Sequence, residues 1–197
     1  MANDAQQAPQ QRAGQWRRPS VATLLRGGIL TAALLAIGLA LLVRPVAGSA
    51  AGAQALVGRQ APAFALPAAQ NGQQLPGTQT LAAHRGRATL LVFFNTLCVH
   101  CLGEAQTTQS LARSYPQLDI VYIDAPGESA QITANYLARL NVDPPVLLDA
   151  HERVAARYGV AYYPTLILVD ARGVVRATWL GETPAATLRP AISAAVG

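Results

Sequence analysis

Apolar residues fall into three kinds of run along this chain, and each predicts a different element. The longest, Gly27–Val43, holds 17 residues without a charge. At about 1.5 Å per residue it makes a helix of roughly 26 Å, just under the ~30 Å hydrocarbon core of a bilayer. Shorter runs, Ala88–Phe94 and Leu118–Ile123, have strand length and read as strands covered on both faces. Elsewhere the apolar positions recur at helical spacing. Ile132, Tyr136, Leu137 and Leu140 share one face of a helix that Ser129 can cap.

Turn and cap signals order the remaining elements. Ala63–Leu66 reads as a short edge strand, and Asn71-Gly72 as a tight turn. A helix follows from Glu104 to Tyr115 and stops near Pro116. Pro144-Pro145 breaks the chain before a short strand, Val146–Leu148. Asp149 and Glu152 have the spacing of a capping box, opening a helix to Tyr158 with Gly159 as its stop. Thr165–Val169 and Val174–Trp179 form an antiparallel hairpin, and Thr183-Pro184 starts a last helix. Helices alternating with buried strands before a closing hairpin predict an α/β fold, a mixed central sheet flanked by helices.

Charge changes the picture at the N-terminus only. Residues 1–50 carry five arginines against Asp4, a net +4, whereas ten arginines face nine acids from residue 51 onward, a net +1. The folded part is almost neutral, which argues against a nucleic-acid partner. Arg26 and Arg44 bracket the long apolar run, and Arg12, Arg17 and Arg18 precede it. That asymmetry predicts a transmembrane signal-anchor with a cytoplasmic N-terminus and everything downstream on the extracytoplasmic side of the cell membrane. The small residues of Ala47–Ala53 also offer cleavage sites, so a removed signal peptide is the rival reading. The layout expected is a disordered tail over 1–20, the anchor over 21–44, a tether over 45–56 and one folded domain over 57–197.

The candidate chemistry lies in Cys98-Val99-His100-Cys101, which contains both cysteines of the chain. The motif follows a buried strand and opens a helix. Unpaired N–H groups and a positive dipole at a helix start favour thiolate over thiol, as thiol–disulfide exchange requires. A purely structural disulfide closing so short a loop would contribute only about 2 kcal/mol. Two cysteines cannot close a zinc site, and haem attachment would need histidine where Leu102 stands, so no cofactor is expected. A copper-delivery module using both sulfurs as soft ligands is an alternative, but it lacks a clearly placed third ligand.

The Cys98–Cys101 motif, Tyr163-Pro164-Thr165 and the spacing between them resemble the thioredoxin superfamily. The likeness is greatest to its membrane-anchored TlpA/ResA-like thiol–disulfide oxidoreductases. It spans about residues 57–197, from Gly58-Arg59-Gln60-Ala61-Pro62 to Leu166–Asp170 and beyond. The resemblance implies a thioredoxin-like fold and a redox-active Cys98–Cys101 pair, with Cys98 attacking and Cys101 resolving. It also implies that Pro164 is a cis-proline against the cysteines, with the backbone of Tyr163 gripping substrate. Glu104 matches an acidic position that in this branch assists proton transfer. The implied substrates are cysteine-containing exported proteins, with apocytochromes c among them, and the implied electron source is a membrane thiol transporter.

The chain departs from the family at three positions. Leu97 replaces a tryptophan, His100 replaces a proline, and Val92 stands where cytosolic thioredoxins bury an acid. A charged His100 would stabilise the Cys98 thiolate and move the couple toward an oxidase. Asn95 holds the place where a peroxidatic cysteine would have threonine. His84 and His151 read as ordinary surface histidines.

Overall fold

The computed structural model describes residues 50–127, 129–140 and 145–197. The tail and the anchor expected over 1–44 lie outside them. Among the described residues no helix is long and apolar enough to cross a membrane.

Seven strands form one mixed sheet: β1 (Ala65–Gln70), β2 (Gln73–Thr80), β3 (Ala88–Phe94), β4 (Leu118–Asp124), β5 (Val146–Leu148), β6 (Thr165–Val169) and β7 (Val175–Leu180). Their order is β2-β1-β5-β4-β3-β6-β7. The central strands β3, β4 and β5 run parallel. β1 pairs antiparallel with β5, and β6 antiparallel with β3 and β7. The helices are α1 (Ala50–Gln54), α2 (Cys101–Ser114), α3 (Ala130–Leu140), α4 (Arg153–Arg157) and α5 (Ala185–Val196). A 3₁₀ turn covers Leu81–His84.

Period-two alternation explains why the middle strands are apolar throughout. In β3, Leu90, Val92 and Phe94 enter one core with Leu111 of α2, Tyr136 and Leu137 of α3, and Leu188 and Ile192 of α5. Leu91 and Phe93 enter the opposite core with Ala53 of α1, Phe64, and Val154 and Tyr158 around α4. A fully buried leucine or phenylalanine contributes about 1.5–3 kcal/mol, so β3 anchors both layers. The C-terminal end of this strand is therefore a rigid base for the turn at Asn95.

The edge of the sheet differs from expectation. β1 begins later than Ala63 and lies second, while β2 is the edge. β2 reads Gln-Gln-Leu-Pro-Gly-Thr-Gln-Thr and is largely exposed, so no apolar alternation announces it. The Asn71-Gly72 turn does join the two strands, with φ of 51° and 78°. Residues 50–56 are not simply a tether. Ala53 of α1 is 1% exposed, and Gly52 lies against Gly159 so closely that a Cβ would come 2.8 Å from the Gly159 Cα. The folded body starts before Val57.

Two of the three predicted caps also differ. Asp149 accepts from the N–H groups of Val154 and Ala155, but Glu152 closes no box and reaches Tyr163 instead. Thr183 does not cap α5, because its hydroxyl donates to Gly181 O and its N–H donates elsewhere, to Glu104. Pro184 occupies the cap position. Ser129 Oγ does accept from the Ile132 N–H, although Thr133 rather than Ile132 faces inward.

Candidate redox site

β3 delivers the chain to a turn in which Asn95 O accepts from the Cys98 N–H and Asn95 Oδ1 from the Leu97 N–H. The turn puts Cys98 at the mouth of α2 and Cys101 at its first helical position. The two are joined as a disulfide. They are unequal: Cys101 is 3% exposed, while Cys98 is only partly buried. The Cys101 N–H, one of the donors that a helix start leaves unpaired, points at Cys98 Sγ across 3.1 Å. From the side, Tyr136 of α3 donates its hydroxyl to the carbonyl of Cys98 at 2.9 Å. Leu97, Val99 and Leu102 stand exposed around the disulfide.

Glu104, one turn into α2, is 1% exposed. Its Oε2 accepts the Thr183 N–H at 2.7 Å, and its Oε1 is buried with no hydrogen-bond partner. Burial pushes its carboxyl from 4.5 up to about 7; the Thr183 N–H opposes that rise and the charge of Glu182 adds to it. Glu104, Cys101, Tyr122 and Pro164 line one small cavity of about 10 Å³, space for one water at most. Val92 also lines it and supplies no acid.

The Tyr163–Pro164 peptide bond is cis, and Pro164 packs on that cavity. Its carbonyl accepts the Gly181 N–H at 2.8 Å. The Tyr163 hydroxyl donates to Glu152 Oε1 at 3.0 Å. Burial, that bond and the nearby acids raise the hydroxyl above the usual tyrosine range. Glu152 reaches this position from a left-handed backbone, φ 52°.

Cys98, Cys101, Glu104 and Pro164 thus converge from α2 and the start of β6. His100 stands apart, 77% exposed, with Nδ1 at 3.6 Å from Glu182 Oε2. Tyr136 and Glu182 had no sequence signal as site residues. The one hint of Glu182 was Gly103, a glycine inside a helix, where a side chain would overlap the Glu182 carboxylate. His84 differs from the surface residue expected: it is partly buried and bonds Asp119 at 2.9 Å.

Residues 57–178 match the AhpC/TSA family. Thiol-disulfide oxidoreductase ResA of Bacillus anthracis is 27% identical over 129 residues, covering 64% of this chain and 70% of that protein. ResA of Geobacillus kaustophilus (strain HTA426) is 28% identical over 156 residues, covering 78% and 84%. The crystal structure of a protein described as a thiol:disulfide interchange protein DsbE from Chlorobium tepidum superposes with a TM-score of 0.63 at 26% identity, covering 72% of this chain and 98% of that one.

Proposed function

This chain belongs to the AhpC/TSA family and is a thiol–disulfide oxidoreductase with a Cys98–Cys101 pair, and from that premise we propose that it reduces disulfides in exported proteins, apocytochromes c among them, while anchored by residues 27–43. The observation that carries the reading is the inequality of the sulfurs: Cys98 is only partly buried, under the Cys101 N–H, and Cys101 is enclosed beside Glu104.

In the reduced protein the Cys98 thiolate attacks a substrate disulfide. One substrate sulfur bonds to Cys98 and the other leaves and takes a proton from water. Cys101 then gives its proton to the Glu104 carboxylate and attacks Cys98, forming the intramolecular disulfide and releasing the second substrate thiolate. A donor thiolate, from a membrane thiol transporter, reverses the chemistry at Cys98. Cys101 leaves as thiolate and Glu104 returns the proton; a second donor thiolate then attacks the mixed disulfide, freeing the Cys98 thiolate and releasing the donor as its own disulfide. A carboxyl titrating near 7 suits both directions. Substrate lies along the Tyr163 backbone beside Pro164.

His100 favours the opposite direction, an oxidase, because a cation near Cys98 stabilises the reduced state. Its nearest acid, Glu182, offsets that charge, which leaves the couple nearer a reductant's. The reduction potential decides. A reductase has a value toward the thioredoxin end, near about −270 mV, and a strong exported oxidant one near about −120 mV. Equilibration with glutathione buffers measures it, and a value at the upper end overturns the reductase reading.

A further inference from the structure

Glu182 follows Gly181 in the turn after β7, and its neighbour Thr183 gives its N–H to Glu104. That turn lays the Glu182 carboxylate over the first turn of α2, in a notch that exists because residue 103 lacks a side chain. A Cβ there would overlap Glu182 Oε1. The other oxygen, Oε2, faces His100 Nδ1 at 3.6 Å. One carboxylate therefore sits between the exposed imidazole at the helix start and the buried acid one turn in.

The groups around Glu104 are few. Its own helix contributes Cys101, and β4 contributes the Tyr122 hydroxyl, which is bonded to Thr108. The turn after β7 contributes Glu182, with His100 beyond it. Among the described residues no arginine or histidine forms an ion pair with Glu104. Glu104 Oε1 lacks a hydrogen bond that would favour its charged form, and the His100 imidazole meets Glu182 at the far oxygen, Oε2.

We propose that Glu182 is a positioning residue for Glu104: its charge, seated on the Gly103 notch, adds to burial in keeping the enclosed carboxyl protonated until Cys101 leaves the disulfide, so that a proton is at hand for the departing sulfur. The proposal rests on the role given to Glu104 above. An imidazolium at His100 works against Glu182, so the three groups share one electrostatic balance.

The test titrates Glu104 directly in the oxidised full chain in mild detergent. The protein is labelled with ¹³C-carboxyl glutamate, and the Glu104 signal is assigned by its loss in Glu104→Gln. The wild-type midpoint is expected near 7. In Glu182→Gln it should fall by about half to one pH unit, about three- to tenfold in proton affinity. Gly103→Ala, which displaces the Glu182 carboxylate without altering its charge, should lower it in the same direction. An unchanged midpoint in a folded Glu182→Gln protein overturns the proposal. So does a loss of thermal stability in both variants with no movement of the midpoint, which marks a structural role only. Because the disulfide stays closed throughout, these outcomes are independent of whether the protein exchanges disulfides in the proposed direction.

Discussion

The Tyr136 hydroxyl holds the Cys98 carbonyl at 2.9 Å, so a helix that contributes no sulfur fixes the backbone of the exposed one. The Tyr136 ring is itself stacked on Phe94, the last residue of β3, at 5.8 Å between centroids. Strand, helix and redox turn are thereby tied at one point. Tyr136→Phe keeps the stacking and removes only the hydrogen bond. It should cost about 0.5–1.5 kcal/mol in a urea titration with an unchanged slope and speed amide exchange across Cys98–Cys101. Exchange rates equal to the wild type would show that the bond does not order the turn.

The inequality of the sulfurs predicts asymmetric trapping. Cys101→Ser, expressed as the full chain, should accumulate mixed disulfides with exported proteins on a non-reducing gel, and Cys98→Ser should accumulate none. Equal trapping would sink the assignment of nucleophile and resolver. Fractionation of the same cells should place the adducts with membranes. A soluble exported form beginning between Ala50 and Gln54 would show cleavage instead.

Glu104 makes stability depend on pH with a definite sign. Its proton is held to about 7 in the folded protein, against 4.5 for an ordinary glutamate. Between those values the folded chain binds more protons than the unfolded one, so stability falls as pH rises. The contribution is fully present below the unfolded value and lost through the folded one. Glu104→Gln removes the titration. Its urea midpoint should therefore gain on the wild type between about pH 4.5 and 7. A constant difference across that window would contradict the raised proton affinity.

Gly52 and Gly159 meet backbone to backbone, so neither can accept a methyl group by a side-chain adjustment. Gly159 also has φ 64°, a conformation that an L side chain resists. Gly52→Ala should destabilise by about 1–3 kcal/mol, as an overpacked site does, despite alanine's better helix propensity. A neutral result in thermal melts would mean that α1 is only loosely attached.

The strands that build the core were legible because each is apolar in both directions at once, as β3 shows. Cys98 and Cys101 were legible from their spacing after that strand. What escaped depends on contacts between distant segments. β2 has no apolar alternation, since it lies at the sheet edge, is largely exposed and sends only Leu75 against the core. Thr183 looks like a cap in sequence, but Glu104, which lies 79 positions away, takes its N–H. Glu104 was named from the resemblance, but nothing local announced its burial, since the Thr183 N–H that its carboxylate accepts belongs to the turn before α5.

The outer strand of the sheet bears on how copies of this protein behave together. β2 carries no charge, the usual guard of an open edge, yet Pro76 offers no N–H and Gly77 turns aside at φ 75°. A neighbour's strand laid along it would find its ladder broken halfway. Crowding should therefore not extend the sheet across this edge from one molecule into the next, and that protection against stacking rests on a dipeptide far from any chemistry.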